Sequence, residues 1–532
     1  MNTFWGWSGY LPLLFYGLLA YSLLRFLPKW IKRNRKGDVA PASSHPTGPT
    51  INPSNAPTIH HAEPPAAVSE SVSVVLRRQV PPGAAESARS WLGGLPRMPD
   101  GVEWPRSISS ENPQQGERPL HFLAQICCAD LPRELWGGLG PREGWLLVFI
   151  DPNQGCPDGS DAFCIMHLPQ LGRERKAPSD LGPVHDGVYG GGSYDWLPKD
   201  EVPSTWRRWP VDLVSYPNVL HRNAHYNFAT PKGFAETLYD GAPVFPYEDL
   251  EAVRPYTVGQ ALRAVHRLAK RMRTERRAKA DQHAHAVLRE KGSLDPLRES
   301  LTIQLAAAVA MAESDYRTQT VDGLKRALAL VDACDTVTQL AQRLEDDLAQ
   351  WKRWRLSIAE DCDEVAAQLA GWPPEMPLSP DDWAQLQSRF DGKEFLGFEL
   401  SATRDGGAEQ LELRERSEQA SLTIPEGTTE EALADWLNPE TRSRVPADRL
   451  SDLEAAARSL RSNRPHRMGG YHDGVQSDAI EGPQDPLLLL QISSDNGMDW
   501  CWGDVGAYYF WIRPQHLDAG DFSGVEMRLE SH

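Results

Sequence analysis

An α+β fold is expected: a mostly antiparallel β domain built from two similar halves, with a large helical insertion and one N-terminal transmembrane helix. Three observations predict it. Short apolar runs broken by Gly, Pro and Asp, the pattern of strands, occupy both ends of the chain's body. A stretch poor in Gly and Pro, with apolar residues at 3.6-residue spacing, lies between them. Finally, Phe4 to Leu24 contains no charged residue, which is about the length that crosses a hydrocarbon core of roughly 30 Å.

The elements follow in chain order. Trp5, Trp7 and Tyr10 before the apolar run and Trp30 after it match an aromatic belt. A cleaved signal peptide needs a charged start, and no charge precedes the run. Six basic residues (Arg25, Lys29, Lys32, Arg33, Arg35, Lys36) precede the first acid, Asp38. The positive-inside rule then puts the bulk of the chain on the cytoplasmic side of a bacterial inner membrane. The expected organisation is an anchor over 1–30, a basic then Pro/Ser-rich linker over 31–71, a first β half over 72–256, a mainly helical insertion over 257–462 and a second β half over 463–532.

In the first β half, LHFLAQICC (120–128), GWLLVFI (144–150) and AFCIMHL (162–168) read as strands. Residues 258–292 read as one long helix. Val337, Leu340, Leu344, Leu348, Trp351, Ile358, Cys362, Val365 and Leu369 form one helical stripe. FLGFELSA and QLELRE look like strands, TTEEALADWL and DRLSDLEAAARSL like short helices. In the second β half, LLLLQISS (487–494), MDWCW (498–502), AYYFWI (507–512) and VEMRL (525–529) are strand-like, and Asn496-Gly497 predicts a type I′ hairpin.

The two β regions repeat one another. Gly93-Gly94, Gln125-Ile126 with two small residues, then Gly144, Ile150 and Pro152 are matched by Gly469-Gly470, Gln491-Ile492 with two small residues, then Gly506, Ile512 and Pro514. The common order suggests an internal duplication.

Composition narrows the function. Lys+Arg total 55 against 73 for Asp+Glu, a net charge of -18, which excludes a general nucleic-acid binder. The apolar share of 40% excludes disorder throughout. Seven cysteines without a regular framework read as free thiols in a reducing compartment.

WLGGLPRMPDGVEWPR (91–106), HFLAQICCADLP (121–132) and the C-terminal HRMGGYHDGVQ and LLLLQISSDNGMDWCWGD blocks resemble the YwqG-like family of bacterial proteins. The matching pieces are the Gly-Gly-Leu-Pro start, Trp104-Pro105, the Leu-Ala-Gln-Ile strand, the His466 to Tyr471 turn and the Trp502-Gly503-Asp504 turn. The resemblance implies a compact α+β domain with no assigned catalysis, often encoded near secreted polymorphic toxins and their immunity proteins. The membrane anchor and the long interruption between the blocks depart from the family pattern.

The candidate ligand- or partner-binding residues are Trp104, Gln125, His466, Tyr471, Asp473, Gln491, Trp502 and Asp504. No catalytic residue, metal ligand or cofactor is assigned: there is no nucleophile elbow, Walker loop or His-Glu-x-x-His. Cys156, Asp161, Cys164 and His167 lack zinc-knuckle spacing. Gln125 and Gln491 end equivalent strands, where each amide either bonds a neighbouring turn or faces the other across a groove. The basic helix (Arg263, Arg267, Lys270, Arg271, Arg273, Arg276, Arg277, Lys279) pairs with acids such as Glu345, Asp346 and Asp347, with anionic lipid as the second reading.

The function expected is a membrane-anchored, cytosol-facing binding protein that recognises a protein partner, immunity-like or adaptor, with no nucleic acid involved. One alternative is an enzyme or ligand-binding protein with a small-molecule pocket between the two β halves. The other is a structural component of an envelope assembly.

Overall fold

The computed structural model describes residues 72–84, 87–108, 113–152, 162–185, 202–218, 221–222, 227–228, 238–239, 253–274, 278–311, 313–405, 408–422, 425–460, 464–475 and 486–531. The chain divides into two compact units: Met1–Gly192, Ser204–Leu250 and Ala455–His532 form one, Ser193–Pro203 and Glu251–Glu454 the other.

The first unit is built on one ten-stranded antiparallel sheet. Its strands are β1 (Val72–Arg78), β2 (Trp91–Leu92), β3 (His121–Cys127), β4 (Trp145–Ile150), β5 (Phe163–Leu168), β6 (Trp209–Pro217), β7 (Arg467–Met468), β8 (Leu487–Ser493), β9 (Ala507–Ile512) and β10 (Glu526–Glu530). They lie in the order β10-β9-β8-β7-β1-β6-β2-β3-β4-β5. The sheet curls towards closure, so that Phe163 of β5 packs edge-on against Phe510 of β9, ring centroids 5.6 Å apart. Every residue of β3 and of β8 is buried, which explains why both read as continuous apolar runs instead of alternating ones.

That order is a palindrome about the β1–β6 pair. Trp91 faces Gln125 on one side and Pro210 on the other; Arg467 likewise faces Gln491 and Val75. Each half carries a register shift at the same place, between Phe122 and Ala124 and between Leu488 and Leu490. The match extends to single bonds. Leu76 N–H donates to His466 O at 2.9 Å and Val211 N–H to Ser90 O at 3.0 Å. Cys128 N–H donates to Gly144 O and Ser494 N–H to Gly506 O. The paired glycines turn the chain at positive φ in both halves, 60° and 70° at Gly93 and Gly94, 65° and 70° at Gly469 and Gly470, where a Cβ is disfavoured.

The second unit holds α1 (Val258–Arg273), α2 (Ala278–Lys291), α3 (Asp295–Val309), α4 (Asp315–Asp332) and α5 (Val337–Leu369), with a long hairpin of Glu394–Asp405 and Ala408–Gln419. Thr336 caps α5 by accepting from Gln339 N. The α5 stripe serves two cores: Val337, Leu340 and Leu344 pack with Leu400 and Leu413 of the hairpin, and Ile358, Cys362, Val365 and Leu369 with Val265 and Leu268 of α1.

Three expectations need correction. The first concerns the fold class. Among the described residues no helix is long and apolar enough to cross a membrane. The longest, α5, is interrupted by Arg343, Glu345, Asp346 and Asp347, and charges at such density oppose insertion. The helix expected over 1–30 and the linker over 31–71 lie outside the described residues. The described fold is α+β, with no membrane-spanning helix among the described residues. Second, residues 258–292 are not one helix. α1 stops at Arg273, and Thr274 turns to ψ 109°. Arg355 accounts for the stop, donating to Met272 O at 2.9 Å, to Thr274 O at 3.2 Å and to Arg271 O; it supplies donors for carbonyls that a continuing helix would otherwise use. Third, Asn496-Gly497 makes no type I′ hairpin and 498–502 is not a strand. Asn496–Met498 is a 3-10 turn in which Asp495 accepts from Gly497 N, and the positive φ falls on Asp499. The aspartate side chain supplies the turn locally.

Candidate functional site

The second half of the sheet concentrates buried charge. Arg467 and Asp473 are both fully buried and paired at 3.2 Å. Gln491 sits between them: its Oε1 accepts from Asp473 N at 2.9 Å, and its Nε2 donates to Pro465 O, Asp473 Oδ2 and Ser493 Oγ at 3.1, 3.3 and 3.3 Å. Tyr471 accepts from Arg467 through its carbonyl at 2.9 Å and donates its N–H to Asn218. Ser493 N–H donates to His466 Nδ1 at 3.1 Å, which leaves the ring proton on Nε2, aimed at Asp495 Oδ2 3.1 Å away.

Asp495 meets Arg78 on its other side at 3.3 Å. Burial pushes its carboxyl upward, but the Arg78 charge and the bonds from His466 and Gly497 N outweigh burial and hold it below the ordinary carboxylate range. Four residues on, burial wins: Asp499 is pushed up to about 6 although Arg207 pulls against the shift. Arg207 also donates to Gly497 O at 3.1 Å. Two arginines therefore clamp the turn at 495–499. Beside it, the rings of Trp206, Trp500 and Trp502 form a buried cluster with centroids 5.5–5.9 Å apart.

The sequence-derived candidates thus separate. His466, Tyr471, Asp473 and Gln491 come together in one network. Trp502 belongs to the indole cluster, and Asp504 is exposed in the following turn. Trp104 and Gln125 stand in the other half, Trp104 donating to Leu120 O at 2.8 Å and Gln125 Oε1 accepting from Arg97 N at 3.1 Å. Each glutamine is committed to its own half's backbone, and four strands stand between β3 and β8. Sequence reasoning passed over Arg78, Arg207 and Arg467, and it left Asp495 and Asp499 outside the candidate set. A charged residue at the end of an apolar strand, as in VSVVLRR, was the available signal. In the second unit, Arg263 and Arg267 pair with Glu431 and Arg273 with Asp363, while Glu345 takes Arg289. Cys156, Asp161, Arg276 and Arg277 lie outside the described residues.

A polar cleft of about 350 Å³ opens beside the sheet's dyad, lined by Arg77, Arg78, Gln79, Asp212, Tyr239 and Arg458 among others. The pairing that relates Val75 to Pro210 relates Arg77 to Asp212, and these two face each other directly. They form an ion pair of 2.8 Å with side chains 40% and 39% exposed. Gln79 Nε2 also donates to Asp212, at 2.8 Å.

Comparison with protein families places this geometry. The family described as Domain of unknown function (DUF1963) matches residues 90–187 and 334–530, more than half of the chain. The chain belongs to the DUF1963 family. The two matched segments contain β2 to β5 and β7 to β10, the corresponding strands of the two halves, and the second also takes in α5 and the long hairpin. The second DUF1963 segment therefore starts well inside the 257–462 stretch expected to be an insertion. No curated protein matches the chain.

Proposed function

We propose that this chain is a binding protein that recognises a protein partner, in an adaptor-like or immunity-like role, and that it carries out no chemistry of its own. The supporting observation is the internal commitment of its buried acid and base candidates. His466 is held between Ser493 and Asp495, and Asp473 between Arg467 and Gln491. A general acid or base must reach a substrate proton within hydrogen-bond distance, and these groups instead face one another in the core. The net charge of -18 favours a basic partner.

The narrower likeness to YwqG-like proteins belongs to the same reading. It is supported by the Gly-Gly turns and Gln-Ile strands, which hold equivalent positions in both halves. In it, the helical segment is an insertion between the halves of one β domain.

Affinity capture of the tagged full-length chain from native cells, followed by reconstitution of the purified pair, tests the proposal. A single partner that co-elutes at equal stoichiometry is the expected result. Turnover of any substrate that is lost with His466→Ala, Asp473→Asn or Asp504→Ala, in protein that remains folded, would overturn it.

A further inference from the structure

We infer that the cleft on the sheet's dyad binds a compact oxyanion, the phosphate or carboxylate group of a small molecule. The inference is independent of the partner-binding reading, because an enzyme and a binding protein could use such a cleft equally. Its volume of about 350 Å³ falls within the range of small-molecule sites. Three guanidinium groups, Arg77, Arg78 and Arg458, line it against the single carboxylate of Asp212.

Arg77 is the residue that would take the ligand. Only its Nη2 is engaged, by Asp212; among the described residues its Nε and Nη1 have no protein acceptor. Once it releases Asp212, Nη2 forms a planar fork with either of these donors, and that fork matches the two oxygens of a carboxylate or phosphate. The pair with Asp212 is half-exposed, so water screens it and a ligand can compete for the guanidinium. Asp212 would keep its bond from Gln79 when Arg77 turns away.

Arg78 gives the cleft a rigid side. It is 1% exposed and donates to Leu460 O at 2.6 Å and to Ala457 O at 3.2 Å, with its guanidinium over the Trp209 ring at 4.2 Å. Its charge is answered by Asp495, so the attraction for an anion falls to Arg77. Tyr239, whose hydroxyl accepts from Arg78 N at 3.0 Å, adds a polar edge. Val80, Pro81 and Leu238 supply the apolar part of the lining.

The test is calorimetric titration of the full-length chain with inorganic phosphate, with succinate as the carboxylate probe and chloride as the non-oxyanion control. Saturable binding of phosphate or succinate but not chloride is expected, and the stronger of the two identifies the ligand class. Arg77→Ala should weaken binding at least about tenfold, the worth of a charge-assisted bond. Asp212→Asn should tighten it several-fold by removing the competing carboxylate. Thermal unfolding confirms that each variant is folded. Absence of saturable binding by both probes overturns the proposal, as does unchanged affinity in folded Arg77→Ala. If Arg77→Ala does not fold, Asp212→Asn decides: no gain in affinity overturns it.

Discussion

Ser90 and His466 hold equivalent places in the two halves of the sheet and perform the same task. Each carbonyl accepts from the adjacent central strand, and each side chain accepts a backbone N–H, from Cys127 at 2.9 Å and from Ser493 at 3.1 Å. Only His466 reaches further, to Asp495. The same divergence recurs. Trp91 stands where the other half has Arg467, and Arg97 where it has Asp473. Gln125 and Gln491 both accept from the backbone at that last position, but Gln125 Nε2 is buried with no acceptor among the described residues while Gln491 Nε2 has three. The backbone bonds are common to both halves. The side chains beyond those bonds differ: Trp91 puts an indole where the other half buries the Arg467–Asp473 pair.

The sharpest way to break this comparison is to remove one partner of the buried pair. Asp473→Ala strands Arg467 without a counter-charge and should cost about 3–5 kcal/mol. Arg97→Ala, at the equivalent half-buried position, should cost less than about 1 kcal/mol. Urea unfolding of both variants, followed by tryptophan fluorescence, measures the difference, and equal costs would show that the charge burial is not one-sided.

Next in size is a pH effect. The folded Asp499 holds its proton up to about 6, whereas the unfolded carboxyl releases it near pH 4. Between those values the folded state binds more protons, so stability falls as pH rises through the window, by roughly 2–3 kcal/mol in all. Asp495 acts in the opposite sense: its depressed carboxyl contributes stability above the unfolded pKa, and that contribution is lost as pH falls below it. Asp499→Asn should therefore gain on the parent protein from about pH 4 to about pH 6 and keep a constant advantage above that. A constant difference between the two stability profiles across that window would remove Asp499 from the account.

The smallest effect is the amide contrast. Gln491→Leu loses a fully bonded side chain and should cost about 1–2 kcal/mol more than Gln125→Leu, whose amide nitrogen has no bond to lose. Chemical denaturation of the two variants side by side resolves it. Similar costs would mean that the carbonyl bond, common to both, carries the whole contribution.

How much of this was legible in the sequence follows from what each motif controls. Gly-Gly and Gln-Ile fix backbone positions, so they survived in both halves and revealed the repeat. The apolar stripe from Val337 to Leu369 specified α5 because burial at 3.6-residue spacing leaves few alternatives. The central strands were harder to relate, since VSVVLRR and WPVDLVSYP share no motif, and their equivalence rests on pairing alone. The Asn496-Gly497 turn misled because the side chain of Asp495, one residue earlier, captures Gly497 N and settles the turn another way. The buried arginines escaped notice because Arg at a strand end ordinarily reads as surface. Nothing local announces the carboxylate that Asp495, far along the chain, presents to Arg78.

The ion pair on the dyad has one further implication. Two identical subunits related by a twofold axis must place the same residue on both sides of that axis. Such an assembly would set arginine against arginine or aspartate against aspartate, and either would repel. Joining the two halves in one polypeptide lifts that restriction, because each copy can then mutate alone. Arg77 and Asp212 use that freedom on the axis itself: the symmetry holds in the strand order, and the unlike pair gives the axis a positive and a negative side.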